Sequence, residues 1–353
     1  MNQLNMGLDI GYGQVKAYLE HPDNKIIKIF FPRIFAEAQG EAWKELRSAD
    51  IYGIDGDRYI LGEEALNYHK SIKTSDARDY VLHNSYWACF GKVLVDGGIY
   101  TGNNEPIRIK RLVTGIAPGH FDRQIIRDMK HKIRNGVEIT WNNHFIKFSA
   151  EKVIILPQGA GTFFEAILTD DGTQIEPGTD KLLHGILDFG HRTIDYVLFD
   201  GKEFISDPHG LSEDSGVHVI LNKLLEYTKN HYGYKGQNTE KFRPVLWGEK
   251  FLCKGQLIDL SGPLKNLAGK HIRQIEQDAK KRWETQLDDM YKIILCGGGA
   301  HLFSMIPDFL NENKTQIIIP ADPGFSNATG FFRFAKMQER LEFLKSGKLK
   351  SDY

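Results

Sequence analysis

Two aspartates stand out for the company they keep. Asp9 ends an apolar run in residues 7–18 (GLDIGYGQVKAY), and Asp188 ends one in residues 185–199 (GILDFGHRTIDYVLF). With one residue between, each is followed by a glycine, Gly11 and Gly190, then by a short polar turn and a return to β-prone residues. The pattern predicts strand, tight turn, strand, with the carboxylate at the mouth of the turn. Glycine there permits positive φ and lets a ligand come close to the backbone. Such a turn cradles phosphate through its N–H groups, and a carboxylate beside it holds Mg2+, usually through water. Gln14 and Lys16 are the polar side chains placed to reach phosphate from the first turn; Arg192 and Thr193 are those of the second. One such hairpin is an ordinary turn with an aspartate. Two in one chain point to a nucleotide site and to two related half-structures.

A third candidate is the turn Cys296-Gly297-Gly298-Gly299-Ala300-His301, which follows the apolar run YKIILC (291–296). Three glycines let a ligand lie against the backbone, and a helix N-terminus can follow. The turn matches neither GxGxxG nor the Walker pattern, which counts against a Rossmann dehydrogenase or a P-loop enzyme. The 13 histidines form no HExxH or paired ligand spacing, so a metal other than nucleotide-bound Mg2+ is not expected. No GxSxG elbow occurs. Cys296, at the end of an apolar strand, reads as a small core residue.

The elements that must position these residues follow from periodicity. Residues 25–32 (KIIKIFFP) read as a strand, 35–46 as a helix by composition, and 50–61 as a hairpin bent at Asp55-Gly56-Asp57. Gly62-Glu63-Glu64-Ala65 opens a helix with both acids in its first turn. Tyr80, Leu82, Trp87, Phe90 and Leu94 recur mostly at spacings of three and four, which predicts an amphipathic helix over 80–95. Strands are expected at 108–115, near 137–148 and at 151–157 (EKVIILP), with a polar helix running to about Asn135; the last strand is expected to be covered on both faces. Gln158 then leads into the helix FFEAIL.

Beyond the second hairpin, a strand at 202–205 and a loop over 207–216 with Pro208 and Gly210 precede a long helix at about 217–232. A polar connection over 233–243, a helix over 264–289, and strands at 291–296 and 316–320 complete that half. In the C-terminal helix, Phe331, Phe332, Phe334 and Leu341 are expected to form a stripe docking on the first domain, while residues 345–350 read as a solvated end. Strands alternate with helices throughout, so the class is α/β with mixed sheets.

The order hairpin-Asp, strand-Pro-Gln-helix, hairpin-Asp, strand-Gly-Gly-Gly resembles the actin/Hsp70/sugar-kinase (ribonuclease H-like) ATPase superfamily over nearly the whole chain. Within it, residues 188–195 (DFGHRTID), Gly62-Glu63-Glu64-Ala65 and 323–330 (PGFSNATG) are most similar to the ParM/StbA plasmid-segregation actins and archaeal actin-like proteins. The resemblance implies a two-domain fold with ATP or ADP and Mg2+ in the inter-domain cleft. It implies domain I over 1–157, with the helix at about 325–353 packing back on it, and domain II over 158–324. Gly11, Tyr12, Gly13, Gln14 and Lys16 fall in its first phosphate loop, Gly190, His191, Arg192 and Thr193 in its second, and Gly297, Gly298, Gly299 and Ala300 in its adenosine-binding turn. Asp9 and Asp188 take the catalytic and Mg2+-holding positions, and Gln158 the one that orients the attacking water. Glu213 lies in the region near base and ribose, although by residue type Glu213 and Asp214 read as cap and surface charges.

The chain departs from the superfamily in two places. His191 and Arg192 stand where many members have further glycines, so backbone cradling there gives way to side-chain contact. Position 158 is Gln where several bacterial relatives carry Glu, and an amide positions water without deprotonating it. That suffices, because phosphoryl transfer depends mostly on positioning and charge stabilisation.

Bulk composition narrows the partners. Basic and acidic residues number 45 and 46, with no basic block, so direct nucleic-acid binding is not expected and a DNA-binding adaptor would be a separate protein. Only 3 cysteines occur, in no metal spacing, which suits free thiols in a reducing compartment. Asp9 interrupts the first apolar run, so no signal pattern is expected; no apolar stretch approaches the roughly 20 residues that span a bilayer, so no membrane span is expected either, and the location implied is cytoplasmic. The leading expectation is a filament-forming actin-like ATPase that assembles head to tail on ATP. A small-molecule kinase on the same scaffold and a nucleotide-dependent membrane or division adaptor are the alternatives. An Hsp70 is not expected, since little of these 353 residues remains after the ATPase core for a peptide-binding domain.

Overall fold

The computed structural model of the chain describes residues 4–21, 23, 25–38, 49–67, 72–73, 80–100, 102, 105–118, 121–205, 211–305 and 317–346. The chain divides into two compact units, residues 1–179 with 325–353, and residues 180–324. The helices are α1 (Asn84–Asp96), α2 (Arg123–Asn135), α3 (Ala160–Ile167), α4 (Val217–Tyr232), α5 (Ser261–Arg282) and α6 (Ser326–Lys345). Of these, α4 and α5 belong to the second unit.

The strands of the first unit are β1 (Leu4–Ile10), β2 (Gln14–Glu20), β3 (Ile26–Pro32), β4 (Phe35–Glu37), β5 (Ile51–Ile54), β6 (Asp57–Leu61), β7 (Ile72–Lys73), β8 (Ile107–Ile116), β9 (Val137–Trp141) and β10 (His144–Pro157). They form one sheet in the order β3-β2-β1-β8-β10-β9-β5-β6-β4-β7. At its centre β1, β8 and β10 run parallel. All seven positions of β1 are buried, as expected of a parallel strand covered on both faces. Leu4, Met6, Leu8 and Ile10 enter the main core, where α1 contributes Trp87, Phe90, Val93 and Leu94. Gly7, on the opposite face, lets α6 approach: a Cβ there would stand 2.2 Å from Ala328 O. The polar helix α2 starts where the Asp122 side chain accepts from Gln124 N and Ile125 N, and it buries only Met129 and Ile133.

The second unit contains β11 (Leu183–Phe189), β12 (Ile194–Asp200), β13 (Glu203–Ile205), β14 (Leu211–Glu213), β15 (Phe251–Cys253), β16 (Gln256–Ile258), β17 (Met290–Cys296) and β18 (Ile317–Ile318). Its sheet runs β13-β12-β11-β17-β18, with β14 also on β12, while β15 and β16 pair separately. Leu187 and Phe189 of β11 pack with Leu221 and Leu224 of α4, Ile272 and Ile275 of α5, and Trp283. Helix α4 ends as its sequence directs, at Gly233 in the left-handed region with φ 61°.

Several expectations change in the structure. Residues 35–37 form β4 instead of opening a helix, because Phe35 and Ala36 pair across to Leu61 and Ile60 of β6; the rest of that expected helix, 39–48, lies outside the described residues. Outside them too lie Pro208 and Gly210 of the expected loop, Gln316, and 347–350 of the tail. Residues 62–67 form a 3₁₀ turn. The expected strands near 148 and at 151–157 are a single one, β10, since nothing from 149 to 151 breaks its pairing with β8. Glu151 and Lys152 are exposed, so this strand is not covered on both faces. Helix α5 ends at Arg282, seven residues earlier than the 289 expected, and a separate 3₁₀ turn covers Leu287–Asp289. In α6, Phe331 and Phe332 are buried, but Leu341 is 42% exposed and lies outside the docking stripe.

Residues 158–179 group with the first unit, where the sequence places domain II from 158. The reason is the crossing of α3 and α6. A Cβ on Gly330 would lie 1.6 Å from Gly161 O, so neither helix can carry a side chain at that point. Arg333 Nη1 then donates to Glu165 O at 2.6 Å and Leu168 O at 2.8 Å. Among the described residues, no helix is long and apolar enough to cross a membrane.

Candidate functional site

The first hairpin forms where expected, with Gly11 N donating to Gln14 O at 3.0 Å, but neither Gly11 nor Gly190 takes the positive φ foreseen for the turn glycines. Its register sets Lys16 of β2 directly opposite Asp9 of β1, and the two side chains, both buried, form an ion pair at 3.8 Å. Gln158 completes the group, its amide Nε2 donating to Asp9 Oδ1 at 2.8 Å. Three parallel strands bring this about. Leu8 of β1 pairs with Thr114 of β8, and Thr114 with Ile155 of β10, so Asp9 and Gln158 emerge at the carboxyl ends of the two strands that flank β8. Gly115 leaves room for Gln158, since a Cβ there would stand 3.1 Å from Gln158 Cγ.

The start of α3, which follows Gln158, is held from α6. Asn327 Oδ1 accepts from Gly159 N at 2.9 Å and Thr162 N at 3.3 Å, an N-cap supplied by a distant residue. Sequence reading did not single out Asn327 as part of the site. Its signal was the polar SNAT directly before Gly330, Phe331 and Phe332.

The second hairpin differs in its charges. Its register sets Asp195 opposite Asp188, so two buried carboxylates share one face at the mouth of the turn. Gly190 N donates to Thr193 O at 2.9 Å, and the turn is bound to the start of α4. Val217 N, His218 N and Gly216 N donate to the carbonyls of Gly190, His191 and Arg192. The first N–H groups of α4 are thereby spent on the turn.

His191 and Arg192 were expected to reach phosphate, and both are engaged within the second unit. His191 Nε2 lies 3.3 Å from the Glu240 carboxylate, and Arg243 Nη2 lies 3.2 Å from His191 Nδ1. Burial raises the Glu240 carboxyl, but the His191 hydrogen bond and the Arg243 charge outweigh it and hold the group below its ordinary value. Arg192 pairs with Asp214 at 3.3 Å. Glu213, read from its residue type as a cap, sits on β14 and bonds Arg282 of α5.

The glycine turn packs against the end of β11. Gly297 has φ 84°, and a Cβ on it would stand 2.4 Å from Asp188 Oδ1; one on Gly299 would stand 2.7 Å from the Phe189 ring. Gly299 N donates to Phe189 O at 2.9 Å. The glycines at 297 and 299 are therefore required by chain packing on Asp188 and Phe189. Gly298 O is engaged by His301 Nδ1 at 3.1 Å, and Ala300 opens a 3₁₀ turn where a longer helix could have followed. Cys296 is buried, as are the other free thiols, Cys89 and Cys253. No cluster of three or more His, Cys, Asp or Glu able to hold a metal occurs among the described residues.

With this geometry in view, comparison with known proteins is informative. Residues 7–161 match the family model for the N-terminal domain of actin-like proteins, and residues 186–308 match that for the C-terminal domain of the archaeal actin homologue, MreB-like. A curated archaeal actin homologue of Thermoplasma volcanium is 23% identical over 336 residues, 92% of this chain and 97% of that protein. The crystal structure of an archaeal actin homologue superposes with a TM-score of 0.76 at 19% identity, covering 95% of this chain and 100% of that one. The same homologue has been solved in complex with ADP, with a TM-score of 0.71 at 20% identity and coverage of 95% and 99%. The subunit of a 15-stranded ParM filament from Clostridium botulinum superposes with a TM-score of 0.69 at 20% identity, covering 95% and 99% of the two chains.

Proposed function

Actin-like models matching both units, and the actin-like fold throughout, make the chain a member of the actin-like superfamily, and we propose that it is an ATPase that assembles into filaments. The observation that carries the reading is Gln158 hydrogen-bonded to Asp9 at 2.8 Å at the carboxyl ends of parallel strands. An amide has one donor end and one acceptor end. With Nε2 committed to Asp9, Oε1 is the end that receives a hydrogen bond from water and points it at the terminal phosphate. Lys16, paired with Asp9, supplies positive charge beside the first turn.

The turn after Asp9 in the first unit and that after Asp188 in the second are each proposed as nucleotide-contacting turns, a reading supported by the ADP complex of the archaeal homologue. Asp9 and Asp188 offer the hard oxygen donors that Mg2+ prefers, and they are the residues that would hold it. Bound there, the ion would neutralise charge on the phosphates. The chain's own contribution is to fix the amide, exclude water elsewhere and place the turn N–H groups.

Head-to-tail association follows from a heterologous interface that does not close into a ring. The ParM filament among the structural neighbours supports self-association, and the role proposed for the polymer is plasmid or other DNA segregation, or that of a cytoskeletal filament. With a formal net charge of -1, the chain would reach DNA through a separate DNA-binding adaptor. Sedimentation with ATP and Mg2+ tests the proposal. Pelleting that requires ATP and reverses as phosphate is released supports it, and a protein that stays monomeric at high concentration overturns the filament reading.

A further inference from the structure

Arg33 follows Pro32 in the otherwise apolar stretch FFPRIF. Its backbone N–H donates to Gly13 O at 3.0 Å, which ties it to the first turn. Its side chain is buried, and Nε, Nη1 and Nη2 have no hydrogen-bond partner among the described residues. The guanidinium lies over the Tyr80 ring, Cζ 4.5 Å from the centroid. Tyr80 is built into the same turn. Its hydroxyl donates to Ile10 O at 2.9 Å, and its ring meets that of Tyr12 at 4.7 Å.

A guanidinium taken out of water without hydrogen bonds is costly, and a cation–π contact offsets only part of that cost. Asp9, the acid of the turn, is already engaged by Lys16 at 3.8 Å and Gln158 at 2.8 Å. Lys16, Arg33 and Asp9 therefore leave one positive charge in excess beneath a turn rich in backbone N–H groups. A buried charge is screened much less by solvent and salt than a surface one. We propose that Arg33 is a positioning residue for polyphosphate. It holds Gly13 directly and Ile10 and Tyr12 through Tyr80, and its uncompensated charge makes the first turn receptive to the anionic tail of a nucleotide.

The inference rests on the nucleotide reading above, and three chains separate the two. ATP affinity by calorimetry and the thermal midpoint without nucleotide are measured for the unmodified protein, Arg33→Met and Arg33→Lys. Removing an unpartnered buried charge is expected to leave the midpoint of Arg33→Met unchanged or raised, while ATP affinity falls about tenfold or more. Arg33→Lys, which keeps the charge, is expected to retain most of the affinity. An arginine that merely supports the fold gives the reverse. Arg33→Met that melts earlier, fails to fold, or folds and binds ATP as the unmodified protein does overturns the role of Arg33 and leaves the nucleotide reading standing. An unmodified protein that does not bind ATP overturns both.

Discussion

The two aspartate hairpins share a sequence signature and differ in almost everything that surrounds it. In the first, Asp9 faces Lys16, and Gln158 holds the remaining oxygen. In the second, Asp188 faces Asp195. The first strand is covered by the backbone of α6 at Gly7, whereas the second turn is closed by the N-terminus of α4. The same strand-turn-strand element thus serves as a cation-bearing device in one unit and an acidic one in the other. That difference gives the first acid a cation and an amide as partners and the second an acid directly across the strands.

The largest effect that separates them concerns glycine. Gly7→Ala puts a methyl 2.2 Å from Ala328 O and 2.4 Å from Phe332 N, both of them backbone atoms that cannot yield locally. It is expected to destabilise by more than about 4 kcal/mol. Gly185→Ala meets only the ends of Met290 and Trp283, at 3.1 Å, and should cost about 1–3 kcal/mol. Urea denaturation of both variants checks the contrast, and equal losses would remove it.

Next comes the amide attached to the first hairpin. Gln158→Ala is expected to slow ATP hydrolysis about a hundredfold while nucleotide binding and assembly stay largely intact, since only water positioning is lost. Phosphate-release kinetics set beside calorimetry would show this, and normal turnover would end the water-positioning role.

The charge partners should give smaller effects of opposite sign. Lys16→Met leaves the Asp9 carboxylate buried without its cation and is expected to cost about 1–3 kcal/mol. Asp195→Asn relieves a like-charge pair directly across the strands and should stabilise the nucleotide-free protein by about 0.2–1 kcal/mol. Loss of stability in Asp195→Asn would show that the second hairpin is not strained by its acids.

The smallest effect is with pH, and it belongs to the second unit. Burial lowers the imidazoles of His184, His218 and His271, partly opposed at His218 by Asp214. A base held below its unfolded value binds fewer protons when folded, so stability is fully present above about 6.5 and is lost as pH falls through that value toward the lowered ones. Thermal melts at about pH 7.5 and 5.5 should show an earlier midpoint in acid, and His218→Gln should reduce the difference.

Local chemistry made much of this readable in advance. The apolar run of β1, the breaks at Gly11 and Gly190, and the span of α4 between Gly216 and Gly233 are written in neighbouring residues. What neighbours could not reveal is which side chains meet. Gln158 and Asp9 stand 149 positions apart, and the cap that Asn327 places on α3 spans 168. Glu213 reads as a cap until β14 pairs with β12 and presents it to Arg282. Arg33 reads as a lone arginine in an apolar run until its burial beneath the first turn is known.

The sequence by itself determined most of the elements, the two turns and the residue types at their mouths, because side-chain pattern and turn-forming residues act over a few positions. The tertiary structure alone decided that one aspartate would face a lysine and the other an aspartate. Strand register sets cross-strand partners, and register is settled by packing of whole faces, to which no single stretch of the chain has access.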